Sequence, residues 1–351
     1  MRLPAPPTII GVALATLLST NSVLVATPVI PGTGTEISYV GDNFEDVNWG
    51  FQHNFPKSSR ENDERTRRPM GKSLNGRWIE GPERGQPDDM KVVPTPEGGL
   101  EDSQYSLRIR TLNSGVPGWK NHDTEQDDLV MNSINRIGTI PLSEIPNCVV
   151  RVYLPPADQW ENRSGPHFGI RTALATKVTE YKDEKRGFRA FQQKVTKWEP
   201  YWPGMWIHFR SKTSKGTEED SAFIKVRGDR LGRDFKVKEI PSEQFGWWTF
   251  GMSVTGDGQV HYYASPGVDN LTAADHLTSQ YPYSFNGLNF RTFFFNSCNR
   301  NDGRSWSTAF IIDDPQLFLV RSQRVESLVA RKISRNKKST ANKSQSKQTK
   351  R

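Results

Sequence analysis

The sequence predicts an all-β chain folded as a two-sheet antiparallel sandwich with long loops. Three observations point there. Short apolar or alternating runs recur across residues 27–320, separated by clusters of Gly, Pro, Asn and Asp. Helix signals are nearly absent from the body, the one good signal being the capping box Thr272-Ala-Ala-Asp275 ahead of Leu277. Within five of the runs, apolar residues strictly alternate with polar or aromatic ones, the period of a half-buried strand. About ten strands with so little helix favour packed sheets over any α/β arrangement.

Composition narrows the class. Of 351 residues only 34% are hydrophobic, too few for several membrane spans of roughly 20 residues each. Two cysteines exclude a disulfide-stapled miniprotein and a multi-cysteine metal module. The formal charge of +8 is unevenly spread. Residues 321–351 carry eleven Lys/Arg against one acid, Glu326, a net +10, and Arg2 adds one more, which leaves −3 for residues 27–320. The basic character therefore belongs to a tail rich in Lys, Ser, Gln, Asn and Thr, read as disordered from about Ile333. Val325, Leu328, Val329 and Ile333 before it have helical spacing and predict a short helix. Such a tail is either a solvated terminus or a contact for a polyanion.

At the other end, Met1–Ala26 reads as a secretory signal. Arg2 supplies the positive start, Ile9–Leu18 an apolar run too short to span a bilayer, and Ala26 a small residue for cleavage. The expected location is secreted, with no membrane span once the signal is removed. Export would place Cys148 and Cys298 in an oxidising space, where pairing would close a loop of about 150 residues worth roughly 4–5 kcal/mol. The body then reads as one domain over 27–320. Its strands are predicted at Tyr105–Leu112, Leu129–Ile134, Cys148–Leu154, Pro166–Ala173, Gly204–Lys212, Ala222–Arg227, Trp247–Val254, Gln259–Ser265, Phe290–Ser297 and Ala309–Val320. Gly256-Asp257-Gly258 and Asn299–Gly303 read as hairpin turns. The polar stretch 56–96 reads as a long loop over a sheet, because Trp78 is embedded in it.

Alternation assigns faces. Phe168 and Ile170 oppose His167 and Arg171; Met205, Ile207 and Phe209 oppose Trp206, His208 and Arg210. Val150, Val152 and Leu154 oppose Arg151 and Tyr153; Ile224 and Val226 oppose Lys225 and Arg227; Val260, Tyr262 and Ala264 oppose His261 and Tyr263. If these strands share one sheet, its outer face is basic and aromatic. Aromatic rings stack on sugar faces and cations pair with carboxylates or sulfates, so such a face suits an acidic polysaccharide. Arg151, Tyr153, His167, Trp206, Arg210 and His261 are the candidate binding residues. β-Elimination on a uronate needs a cation for the carboxylate, a base for the C5 proton and an acid for the leaving oxygen; Arg171, His208 and Tyr263 (or Tyr262) supply those types. The alternative for each side chain is an ordinary solvated strand face.

Both ends of the body resemble carbohydrate-binding jelly rolls and concanavalin-A-like sandwiches. Asp42-Asn-Phe44-Glu45-Asp46 with Trp49 resembles their opening strand, and Ile312-Asp313-Asp314-Pro-Gln-Leu317 their closing one. That resemblance implies a jelly-roll fold and a structural Ca²⁺ held by Glu45 with Asp313 or Asp314, oxygen ligands of the hard kind calcium takes. The middle resembles alginate lyases of this fold, whose motifs are R-T-E-L-R, Q-I-H and Y-F-K-A-G-V-Y. The chain has Arg171-Thr172-Ala173, Trp206-Ile207-His208 and Tyr262-Tyr263-Ala264 in the same order, but Ala173 stands for the Glu, Trp206 for the Gln, and the Lys is missing. The resemblance implies a polysaccharide lyase. Paired carboxylates of a retaining hydrolase are not evident, since Glu180–Glu184 and Glu125–Asp128 read as polar loops. A structural surface protein anchored by its tail is a third reading.

Overall fold

In the computed structural model the chain is described over residues 27–116, 125–186 and 189–322, without the side chains at 125 and 182–191. The predicted signal segment and the predicted short helix and basic tail lie outside the described residues, apart from Arg321 and Ser322.

Two antiparallel sheets pack face to face as a jelly-roll sandwich, and each predicted strand overlaps an observed one, although Leu129–Ile134 shifts to Glu125–Met131 because Ser133–Arg136 forms a helical turn. One sheet runs in the order Asp234–Pro241, Ser221–Arg227, Gly204–Arg210, Gly165–Arg186, Asn289–Asn299, Glu125–Met131 and then three short strands, Trp78–Glu80, Lys72–Ser73 and Phe51–Gln52. The other runs His276–Gln280, Val260–Pro266, Gly246–Val254, Pro146–Leu154, Phe310–Leu319, Tyr105–Arg110 and Asp89–Pro94. Alternation explains the layering. Phe168, Ile170, Met205, Ile207, Ile224, Phe293 and Phe295 face inward from the first sheet, against Val150, Val152, Phe250, Tyr262 and Ile312 from the second. Aromatic stacking joins the layers: Phe168 and Phe310, from different sheets, lie 4.8 Å apart.

Four sequence readings change. Glu180–Glu184 is not a loop. It lies in the long strand Gly165–Arg186, which pairs with Arg189–Tyr201 as a two-stranded ribbon. Glu125–Asp128 is also strand; Asp127 accepts from Lys57 and the Gly115 amide and Asp128 from the Asn296 amide, a setting that periodicity alone does not reveal. Gly256–Gly258 does turn a hairpin, between Gly246–Val254 and Val260–Pro266. Asn299–Gly303 instead carries the chain from one sheet to the other, because Phe310–Leu319 pairs with Pro146–Leu154. Finally, Cys148 and Cys298 do not pair. Both thiols are free and buried; Cys148 points into the core from one sheet, whereas Cys298 lies on the outer face of the other.

The reading of 56–96 as a loop over a sheet changes as well: the stretch supplies Lys72–Ser73 and Trp78–Glu80 to the first sheet and Asp89–Pro94 to the second, and Trp78 anchors it with a fully buried indole. Buried polar ties complete the anchoring. The Lys57 ammonium lies 2.8 Å from Asp88 and 2.6 Å from Asp127. Glu80 accepts from the Ser58 and Gly71 amides at 2.6 and 2.9 Å. Among the described residues no helix is long and apolar enough to cross a membrane.

Candidate functional site

The five alternating strands do not share one sheet. Those bearing Arg171, Trp206, His208, Arg210, Lys225 and Arg227 belong to the first sheet, and those bearing Arg151, Tyr153, His261 and Tyr263 belong to the second. Alternation fixes which face a side chain takes but not which sheet its strand joins.

On the outer face of the first sheet a groove of about 400 Å³ is lined by Arg171, Trp206, His208, Arg227, Gln126 and Cys298, with Glu61 and Arg84 reaching over from the long loop. Register brings these side chains together: Gly169 pairs with Trp206 and with Asn296, and Asn296 with Asp128. Two glycines keep the floor low. A Cβ on Gly204 would stand 2.5 Å from Arg171 Cγ, and one on Gly169 2.6 Å from Asn296 Oδ1. The space they leave lets Arg171 lie flat. Its guanidinium sits 4.9 Å from the Trp206 ring centre and 5.3 Å from that of Phe294. Arg227 stacks on the same indole at 5.0 Å.

The cations of the groove are not equivalent. Arg227 is paired with Asp234 at 2.8 Å, and Arg84 donates to Glu61 at 2.6 Å. Arg171 has no carboxylate in ion-pair contact among the described residues; it donates to the Trp202 carbonyl at 2.9 Å, and its Nε has no hydrogen-bond partner. Burial, with the nearby Arg84 charge, lowers its pKa to about 9, so it is cationic at neutral pH. Burial raises the Asp128 carboxyl to about 6, although Arg84, Arg171 and the Asn296 amide all oppose the rise. Burial and Lys225 hold His208 down to about 4, which leaves its imidazole neutral at neutral pH. Burial pushes the Cys298 thiol up to about 12, so it is no nucleophile.

The remaining candidates lie elsewhere. His167 is the extra residue of a β-bulge between Pro166 and Phe168, which turns it inward. It is fully buried against Trp160 and Phe209 and bonded to Thr308 and the Arg163 carbonyl, so it is a structural residue. Arg210 is at the margin, paired with Glu239 at 2.7 Å and stacked on Phe223. Arg151, on the other sheet, is committed to Asn270 and the Val268 carbonyl, with Asp314 at 3.6 Å. Tyr153 packs edge-on to Trp247. His261 bonds Thr255 and Ser279. Tyr263 packs with Val149 and Leu271 on that sheet's outer face, and Tyr262 is buried in the core with its hydroxyl on the Arg227 carbonyl. Arg171 and His208 thus converge and neither tyrosine joins them. Asp128, Asn296, Arg84 and Gln126 were missed because their strand or loop carries no period pointing to this face.

The predicted calcium ligands share one cleft. Asp313, Asp314 and Glu45 line one cleft of about 190 Å³ with Asn43, Asp102 and Ser103. Glu45, however, accepts from the Gln104 and Tyr105 amides at 2.9 and 3.2 Å. Among the described residues no group of three His, Cys, Asp or Glu stands close enough to hold a metal ion. Asp313 is the exception to these satisfied acids. It is buried, neither oxygen has a hydrogen-bond partner, and burial raises its pKa to about 6; the Ser103 and Ser106 hydroxyls ease that rise without making a well-formed bond.

No family model matches the chain, and no curated protein does. Solved structures with a similar course of the chain include a carbohydrate esterase from a Shiga toxin-encoding bacteriophage, 9% identical, with a TM-score of 0.38 over 78% of this chain and 100% of that one. An alginate lyase from Pseudomonas aeruginosa is 12% identical, with a TM-score of 0.34 over 65% of this chain and 85% of that one. The alginate lyase AlyC3 is 6% identical, with a TM-score of 0.33 over 62% and 75%. At these values the likeness carries no residue roles to this chain.

Proposed function

We propose that the protein binds an acidic polysaccharide in the groove of the first sheet. The observation that supports this reading is the stack of Arg171, Trp206 and Arg227, in which Arg171, unlike Arg227, has no carboxylate partner among the described residues. A sugar ring meets an aromatic wall there, and its carboxylate or sulfate meets a buried guanidinium whose Nε is unpartnered. The groove's size suits a small number of sugar units, and its polar groups include both donors and acceptors.

Lyase chemistry is the second reading, favoured by Arg171 and the neutral His208 lining the same groove. Its weakness is the acid: no tyrosine lines the groove among the described residues, and Tyr263 is on the opposite sheet. Secretion, and a polyanion contact through the basic tail, belong to the same proposal of an exported glycan-binding protein. Calcium enters it at Asp313 alone, on the strength of that orphaned carboxylate.

Retention on a panel of alginate, polygalacturonate, hyaluronan and neutral glucans tests the binding reading. Preference for the acidic members is the expected result; no retention on any of them would sink it. Ultraviolet absorbance from unsaturated uronate ends, followed on the same polymers, separates binder from lyase: a flat trace favours the binder and a rising one the lyase.

A further inference from the structure

The ribbon that sequence reading missed is continuous with the groove. The strand Gly165–Arg186 pairs with Gly204–Arg210 only as far as Arg171, and with Asn289–Asn299 only as far as Ala175. From Thr176 to Arg186 its sole partner is Arg189–Tyr201, so two strands project from the sheet for roughly 35 Å. A two-stranded ribbon alone is marginal in water, yet this one leaves Tyr181 65% exposed and Trp198 52% exposed.

Register fixes the side these rings take. Leu174 and its partner Tyr201 point into the core. Alternation from that pair puts Lys177, Thr179 and Tyr181 on the groove side, opposite Trp198, Thr196 and Lys194. Contacts agree: the Lys177 ammonium lies 5.1 Å from the Trp198 ring centre, and the Thr179 and Thr196 hydroxyls are 3.2 Å apart. Lys197, paired with Glu180 and Glu199, is on the other side. Residues 177–198 carry seven Lys/Arg against three Asp/Glu, within a body whose net charge is −3. The ribbon is thus a cationic, aromatic extension of an otherwise acidic body, and it leaves the sheet at the Arg171 end of the groove.

We propose that the groove-side stripe of the ribbon, centred on Trp198, Lys177 and Tyr181, is a second contact region for the acidic polysaccharide, engaged by chains long enough to run out of the groove past Arg171. The inference rests on the groove reading and adds a length requirement to it. Two linked contacts on one chain raise affinity without any change at the first, because the second binding event becomes intramolecular.

The experiment is calorimetric titration of the full chain with alginate and polygalacturonate, each as the tetrasaccharide and as the parent polymer. For the wild type, the polymer is expected to bind about tenfold or more tighter than the tetrasaccharide. The double variant Trp198→Ala, Tyr181→Ala alters only exposed rings. It is expected to keep the tetrasaccharide affinity and lose about tenfold on the polymer. A variant that binds the polymer as well as the wild type overturns the ribbon contact while leaving the groove reading intact. A wild type that binds neither length overturns both. Sedimentation and duplex DNA binding cover the other occupants: a ribbon variant that loses self-association or DNA binding, with polymer binding unchanged, also overturns the proposal.

Discussion

The Arg171 guanidinium lies 4.9 Å from the centre of the Trp206 ring, and the pair exists because both neighbours beneath it are glycine. Charge and aromatic surface are presented together on one buried floor. A lysine keeps the charge but loses the planar fork that stacks on indole and grips a carboxylate. Arg171→Lys is therefore expected to weaken binding of an acidic oligosaccharide by about tenfold, and calorimetry reads the change. Equal affinity would show that Arg171 only fills space.

Gly204→Ala tests the floor directly. Its methyl would stand 2.5 Å from Arg171 Cγ, a distance that forces the guanidinium off the indole. Overpacking of this kind costs about 1–3 kcal/mol in urea unfolding. Gly256→Ala, where the nearest atom is 3.6 Å away, is the control and is expected to bind like the wild type. Equal stability and equal binding in both variants would contradict the packing described for Arg171.

Asp128 predicts a pH dependence of binding. Burial sets its carboxyl near 6, so it is charged at neutral pH and neutral below that value. As pH falls through 6 a negative charge that acts on Arg171 and Arg84 beside the groove is lost, and affinity for an anionic glycan is expected to rise. Titration from pH 7.5 to 5 checks this. Asp128→Asn is expected to flatten the profile, and an unchanged slope in that variant would assign the dependence elsewhere.

His208 predicts a pH dependence of folding with the opposite sense. Its folded pKa near 4 lies below the ordinary 6.5, so between those values the unfolded chain binds a proton that the folded chain does not. The His208 contribution to stability therefore falls as pH drops from 6.5 towards 4. Denaturant unfolding across that window is expected to show a shallower acid decline for His208→Asn than for the wild type. A steeper or equal decline would mean that His208 protonates freely in the fold.

Asp313 carries the calcium proposal. Added Ca²⁺ is expected to raise the melting temperature of the wild type, with chelator reversing it, because an ion would satisfy two orphaned oxygens. Asp313→Asn removes the charge and is expected to abolish the increment. No shift in the wild type would leave Asp313 as a buried carboxylate that takes up no ion and end the calcium reading.

Much of the fold was legible in the sequence. Period-two patterning marks Gly204–Arg210 as strand, and Met205, Ile207 and Phe209 as its core side, because a strand's two faces differ in solvent whatever its neighbours. The ribbon was not legible. Its strands mix charged, polar and aromatic residues on both sides, so neither side shows the hydrophobic alternation of a half-buried strand. His167 was misread for a local reason, since one bulged residue inverts the facing that alternation assigns.

By itself, then, the sequence determined the sandwich, the inward side chains of its strands, and the basic-aromatic character of what was left outside. The tertiary structure decided how that outside set divides. It joined Arg171, Trp206 and His208 in one groove, placed Tyr263, Arg151 and His261 across the sandwich, and supplied Gln126 and Arg84 from segments without a readable period. The physical reason is that side-chain direction is a property of two successive residues, whereas strand order is set by packing and hydrogen bonding between segments far apart in the chain.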